Sequence, residues 1–171
     1  LIRSDASTKF APKNYWGTFP SFSAGWVMSE ENWFKDNIKF MDFLKIRASF
    51  GILGKDNIQP WRWTQLYNVD LGKGAIFGEN SLNNPKSPGA QTSDAPNPDA
   101  HWDKSYKTNI GLDMRFLNSR LSVNFDAYYD MNRDMFMNRT GASNFPSTVG
   151  TQPTAENFGS IDTWGTELSV G

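Results

Sequence analysis

SYKTNIGLDMRF (residues 105–116), LNSR (117–120) and LSVNFDAYYDMNRDMF (121–136) form the run that decides the fold. Taken alternately, Tyr106, Thr108, Ile110, Leu112, Met114 and Phe116 make one row, almost wholly apolar. Ser105, Lys107, Asn109, Gly111, Asp113 and Arg115 make the other, almost wholly polar. Past residues 117–120 the phase shifts. Leu121, Val123, Phe125, Ala127, Tyr129 and Met131 become the apolar row, against Ser122, Asn124, Asp126, Tyr128, Asp130 and Asn132. Side chains on a strand alternate between faces, so the run predicts two β-strands, each apolar on one side. The connection is short enough only for an antiparallel hairpin. A soluble half-buried strand usually takes about five or six residues. These run roughly twice that, near the 9–11 a tilted strand needs to cross a bilayer. The hairpin is expected to span a membrane.

Composition agrees with that reading. Over 171 residues the hydrophobic fraction is 38%, aromatics reach 15% and mean hydropathy is −0.57. Alternating strands joined by polar loops give such an average, because only every second strand residue must be apolar. There is no run of 18 apolar residues to make a transmembrane helix. The opening Leu1-Ile2-Arg3-Ser4-Asp5 is not a signal peptide, and the close at Leu168-Ser169-Val170-Gly171 falls inside an alternating strand. Both ends look cut, so residues 1–171 are expected to be part of a larger barrel. A net charge of −1 gives no broad pull on nucleic acid or anionic lipid. The chain has no cysteine, hence no disulfide framework and no thiolate chemistry.

In order along the chain, Leu1 to Phe10 is expected to be the top of a strand entering a polar turn at Ser4-Asp5-Ala6-Ser7-Thr8. Tyr15 to Met28 alternates, with Pro20 marking a bulge or a weakly paired position. Ser29 to Phe43 is a connector with a short capped helical turn at Ser29-Glu30-Glu31, although Asn32 stands where a capping box wants Glu or Gln. Leu44 to Ile52 is a strand, and Ile161 to Val170 begins another. Gly54–Asp103 and Asn138–Ser160 are long loops. Loops of that length suit the extracellular side of an outer-membrane barrel, with the Asn118-Ser119 turn periplasmic. The expected fold is therefore all-β: an antiparallel transmembrane β-barrel segment of about six strands with long extracellular loops. An open sheet would leave unpaired backbone groups in lipid, so further strands must close it.

Several blocks carry a resemblance. Phe19-Pro20-Ser21-Phe22-Ser23-Ala24-Gly25-Trp26 with Ser29-Glu30-Glu31 resembles the FPS-x-S-A-G-W…S-E-E block of SusC/RagA-like TonB-dependent outer-membrane transporters. Leu44-Lys45-Ile46-Arg47-Ala48-Ser49-Phe50-Gly51 is similar to their L-K-[LI]-R-A-S-[YF]-G strand. Trp102-Asp103-Lys104 and Asn109-Ile110-Gly111-Leu112-Asp113 resemble W-E-K…N-[IL]-G-[LI]-D, with Asp103 where Glu is usual. Tyr128-Tyr129 with Arg133-Asp134-Met135 matches Y-Y-x-[RK]-x-T-x-D-[ML] imperfectly. Asn157-Phe158-Gly159-Ser160-Ile161 and Gly165-Thr166-Glu167-Leu168 are similar to N-x-G-x-[IV]…G-x-E-L. The blocks follow the family's order over nearly the whole chain. The resemblance implies a bacterial outer-membrane barrel of roughly 22 strands with an N-terminal plug. It also implies import of a glycan or peptide driven by a TonB-ExbB-ExbD complex acting on that plug, under a SusD-like surface lipoprotein lid. Plug and TonB box lie outside these residues.

No catalytic constellation is found. Asp130-Met131-Asn132-Arg133-Asp134 opens like a calcium loop, but Met135 stands where glycine is needed and Gly141 where glutamate is. Polar residues on a lumen face explain it better. His101 is the sole histidine, Glu30-Glu31 reads as a solvated pair, and Asn138-Arg139-Thr140 as a chance sequon. Neither metal nor cofactor is expected, nor is an enzyme. The lumen-facing set is expected to include Lys107, Asn109, Asp113, Asn124, Asp126 and Asp130. Trp16, Trp26, Trp33 and Phe116 read as interfacial girdle residues. Trp61, Trp63, Tyr67, Phe77 and Trp102 lie in the long loop, where rings stack on a sugar, meet the lid, or pack the loop. Trp61, Trp63, Tyr67 and Trp102 are the candidate substrate or lid contacts. Other readings are a porin or adhesin barrel, or a soluble carbohydrate-binding β module.

Overall fold

Among the described residues, six strands hydrogen-bond in chain order as one antiparallel meander. They are β1 (Ile2–Ala6), β2 (Trp16–Val27), β3 (Met41–Lys55), β6 (Asp103–Phe116), β7 (Leu121–Met137) and β8 (Glu156–Val170). A separate two-stranded hairpin, β4 (Tyr67–Asp70) with β5 (Gly89–Thr92), lies within the long loop. The computed structural model describes residues 1–76, 86–138, 146, 148, 150, 151 and 153–171. Among these, no helix is long and apolar enough to cross a membrane, which says nothing of strands.

Register aligns the rows read from the sequence. Ile46, Leu112, Phe125 and Leu168 fall at one level across β3, β6, β7 and β8. Leu44, Met114, Val123 and Val170 fall at the next. Because strand side chains alternate, Arg47, Gly111, Asp126 and Glu167 occupy the opposite face. Lining residues from all six strands surround one trough of about 1220 Å³ on that polar face, so the sheet curls around it. Among the described residues, no second layer covers the apolar face. Ile110 is 53% exposed, Leu168 68% and Trp164 76%. A band this apolar and this open is unsuited to water.

Local differences from the sequence expectations follow from pairing. Ser4, Asp5 and Ala6, expected in a turn, belong to β1, because they pair with Thr18, Gly17 and Trp16. The chain turns only after Ser7, whose backbone N–H donates to Tyr15 O. β2 pairs with β1 through Trp16–Pro20 and with β3 only through Ser21–Val27. The changeover falls at Pro20, which has no N–H to give. At the parting the Phe19 ring lies so close to Gly54 that a Cβ there would sit 2.0 Å from Phe19 Cζ. The connector holds a 3-10 turn at Met28–Glu30 and a short helix α1 (Asn32–Asn37), neither with a side-chain cap. Ser29 is buried there, and Glu30 pairs with Lys35.

Both long loops are shorter than expected. β3 runs on to Lys55, and β4–β5 structures the first loop. β8 begins at Glu156 rather than Ile161, since Asn157 and Gly159 pair with Phe136 and Met135 beyond an irregularity in β7. Asp134 sits in that irregularity at φ 57°, and Asn157 Nδ2 donates to its carbonyl at 2.7 Å.

Among the described residues, the buried apolar cluster sits at the loop end of the sheet, not on it. Phe10, Ile58 and Ala100 are packed with Tyr15, Trp102 and Phe136. It clamps the β1–β2 loop to the roots of the long loop. Ser7 Oγ donates to Asp56 Oδ2 at 2.9 Å, Asn14 Nδ2 to Ala100 O at 3.0 Å, and Trp102 Nε1 to Tyr15 O at 3.2 Å. Lys9 Nζ lies 3.2 Å from Asp56, and Lys13 pairs with Asp99.

Candidate functional site

The site has two separate parts: a polar floor on the sheet, and an aromatic shelf in the long loop, none of whose residues lines the trough. The floor is built from alternate residues of paired strands, so register alone decides which charges meet. Gly51↔Lys107↔Asp130, Ser49↔Asn109↔Tyr128 and Arg47↔Gly111↔Asp126 are consecutive rows on the same face. Arg47 donates from Nε to Asp113 Oδ2 at 2.9 Å and from Nη2 to Asp113 Oδ1 at 2.9 Å. Nη2 also reaches Asp126 Oδ2 at 3.1 Å. Gly111 makes this possible: a Cβ there would stand 2.7 Å from both Arg47 Cζ and Asp126 Oδ1. Lys107 pairs with Asp130, and Arg3 Nε donates to Asp5 Oδ1 at 2.9 Å. Each floor cation (Arg3, Arg47, Lys107) is thus paired, while the carboxylates Asp5, Asp113, Asp126, Asp130 and Glu167 outnumber them, leaving a hydrogen-bonding wall with a modest negative excess.

All six polar residues read from the hairpin share this face by register. Lys107, Asn109, Asp126 and Asp130 line the trough; Asp113 anchors Arg47; and Asn124 is exposed one step along its strand from Asp126. Arg47, Tyr128 and Glu167 complete the floor and were not singled out from sequence. Their alternation marked the face, but only the register sets Arg47 between two aspartates.

The shelf is the run 61–67. Trp61 is 54% exposed, adopts φ 65°, and its ring centroid lies 6.0 Å from that of Trp63. A left-handed backbone at a bulky residue is strained, and the surrounding structure must hold it. Arg62 supplies that hold: its guanidinium pairs with Asp94, and its carbonyl accepts Asn97 N–H at 2.8 Å. Leu66 O accepts Ser93 N–H at 2.8 Å. Trp63 is half-buried, with an indole N–H that finds no partner among the described residues. Tyr67 starts β4 and is exposed beside Val69 and Leu71. Trp102 stands apart from them, its ring against Phe10 at 5.3 Å and Phe19 at 5.4 Å. Phe77, Arg139, Thr140 and Gly141 lie outside the described residues.

Burial pushes the Asp56 carboxyl up, but the Ser7 hydroxyl and Lys9 ammonium outweigh it and hold the group below its usual range. Lys13 does the same for the exposed Asp99. At the opposite end of the sheet, Trp26 lies 6.5 Å from Trp33 and donates Nε1 to Glu31, while Phe40 stacks on Phe116. Trp16 is exposed at the loop end of β2.

A curled antiparallel meander with a bare apolar face and an ion-paired polar trough is a piece of a transmembrane β-barrel. Residues 2–171 match the family model described as TonB dependent receptor-like, beta-barrel, and the chain belongs to that family of outer-membrane barrels. It is 34% identical over 176 residues to the TonB-dependent receptor SusC of Bacteroides thetaiotaomicron, covering 99% of this chain and 16% of that protein. It is 32% identical over 169 residues to the TonB-dependent receptor P39 of Formosa agariphila, covering 99% of this chain and 15% of that one. Among solved structures, the RagAB peptide importer in its open-open state superposes with a TM-score of 0.76 at 25% identity, over 99% of this chain and 17% of that chain.

Proposed function

We propose that these strands form part of the wall of an importer that carries a bulky nutrient across the bacterial outer membrane. The apolar rows face lipid and the trough faces the lumen. A TonB-ExbB-ExbD complex drives transport through a plug domain outside these residues, and a SusD-like lipoprotein closes the mouth. The observation that carries this reading is the ion-paired polar trough lined by all six strands, together with the exposed, braced Trp61 in the long loop. Such a wall offers hydrogen bonds to a neutral polymer, and the rings offer flat faces for sugars or apolar side chains. Chemistry is absent from this role; shape, lining and a mobile lid are enough.

Two cargo classes are favoured by different observations. Exposed tryptophans favour an oligosaccharide. Likeness to a structure titled as a peptide importer favours an oligopeptide. A deletion strain grown on single glycans and single oligopeptides, with the parental gene restored in parallel, tests both. Selective loss of growth on one class identifies the cargo. Growth on every substrate at the parental rate would overturn the importer reading.

A further inference from the structure

The apolar face is uncharged over its whole height except at its loop-side end. Lys104 and Arg133 are direct cross-strand partners there. Like charges placed opposite each other are destabilising unless an anion lies between them. Arg133 pairs with Asp162, and Tyr129 Oη donates to the other Asp162 oxygen at 3.1 Å, so that carboxylate is already engaged on both sides. Lys104 is exposed and has no acidic partner among the described residues. Two cations and one carboxylate leave one net positive charge on the patch. Tyr106 is next below Lys104 on the same row, and the apolar residues continue from it to Phe116. Ten residues at about 3.3 Å each, tilted by about 40°, span roughly 25 Å, the height of a barrel's apolar band. The cation pair therefore stands at headgroup level.

We propose that Lys104 and Arg133 bind the phosphate of an outer-leaflet lipid headgroup whose acyl chains lie on the apolar face below. This rests on the reading that the face meets lipid. A phosphate oxygen would accept from Lys104 Nζ and from the Arg133 nitrogens not held by Asp162, while Tyr106 and Tyr129 flank the glycerol or sugar level.

The test uses the full-length transporter in detergent micelles, titrated with short-chain phosphatidic acid, the matching diacylglycerol, or inorganic phosphate, with bound lipid counted by native mass spectrometry. Phosphatidic acid should bind more tightly than diacylglycerol. Each cation near a membrane surface contributes roughly fivefold, so Lys104→Gln alone should weaken binding by about that factor, and adding Arg133→Gln should weaken it further. Asp162→Asn should tighten binding severalfold, a gain that a merely structural role for these residues does not produce. Equal binding by parental protein and Lys104→Gln would overturn the site. Displacement of the lipid by equimolar inorganic phosphate would make it a free-anion site instead and equally reject the lipid assignment. A spin label at Leu112 separates the underlying reading: if Leu112 is water-exposed the face assignment fails, whereas lipid exposure at Leu112 without phosphate preference rejects only the site.

Discussion

Arg47 grips Asp113 with two parallel hydrogen bonds of 2.9 Å each, tying β3 to β6, and its third bond to Asp126 extends the tie to β7. Removing the guanidinium leaves two carboxylates facing each other across Gly111. Water reaches the network from the trough, which softens the loss. Arg47→Gln should destabilise the folded barrel by about 1–2 kcal/mol, and combining it with Asp113→Asn should recover part of that. A double-mutant cycle in urea titrations of protein folded into lipid vesicles measures the coupling. Strict additivity would mean that the pair contributes nothing.

Leu112 lies on the apolar face, level with Ile46, Phe125 and Leu168, whereas Asn124 is exposed on the polar one. Leu112→Arg should cost about 2–4 kcal/mol, the range for a cation near the midplane of a lipid-facing barrel. Asn124→Arg, next to Asp113 by register, should cost far less. Equal losses in the same folding titration would contradict the assignment of faces.

The hairpin between β6 and β7 turns through Leu117, Asn118 and Ser119, all left-handed at φ 56°, 55° and 61°. Asp42 Oδ2 accepts Ser119 N–H at 3.0 Å and holds the turn shut. Leucine in this region carries a penalty of roughly 1–2 kcal/mol. Leu117→Gly should therefore stabilise the barrel by up to about 1 kcal/mol, and Asp42→Ala should destabilise it, both read as shifts in the urea midpoint.

Why some features were legible and others not follows from these residues. Alternation along 105–116 and 121–131 reflects a difference of environment between two faces, so strands and faces could be read directly. The left-handed turn could not, because Leu117-Asn118-Ser119-Arg120 lacks the glycine that announces such geometry. The start of β8 at Glu156-Asn157 and the β4–β5 hairpin were hidden for a related reason. Backbone pairing there proceeds without two contrasting faces, and periodicity has nothing to report. Arg47 was visible as a polar-row residue, yet its bond to Asp113 spans 66 positions and depends on register. The loop aromatics announced themselves by composition, but only packing separates Trp102, embedded with Phe10 and Phe19, from exposed Trp61.

The loop clamp should respond to acid. Asp56 and Asp99 are held below their usual range when the clamp is formed, by Ser7 and Lys9 in one case and Lys13 in the other. A depressed folded value means stability present above the unfolded pKa and lost as pH falls through the folded one. The clamp should stay closed at neutral pH and loosen only below about pH 4, where free aspartate protonates. Protease sensitivity of residues 7–15 against pH reads this. Lys9→Met should open the clamp at a higher pH than the parental protein; an unchanged profile would show that the Phe10 cluster alone holds it.

Trp61 offers the sharpest test of the shelf. Its ring is exposed although its backbone is strained, and the neighbouring Arg62, Leu66 and Asp94 fix that arrangement. A ring serving only loop packing would be expected against other side chains, as the half-buried Trp102 is against Phe10 and Phe19. Glycine at position 61 keeps the left-handed conformation without penalty while deleting the ring, so Trp61→Gly separates strain from contact. Assembly in the outer membrane should remain at the parental level, because every barrel strand is untouched. Uptake of the cargo should fall tenfold or more at limiting concentration, the effect of losing an aromatic anchor of about 1.4 kcal/mol or above. Trp63→Ala should instead loosen the loop, since that ring is half-buried against Trp61. Pull-down of the lid lipoprotein then assigns the lost contact: retained lid with reduced uptake places Trp61 on the cargo, and a lost lid places it on the partner. A Trp61→Gly transporter that assembles, keeps its lid and imports at the parental rate would reduce the ring to loop packing.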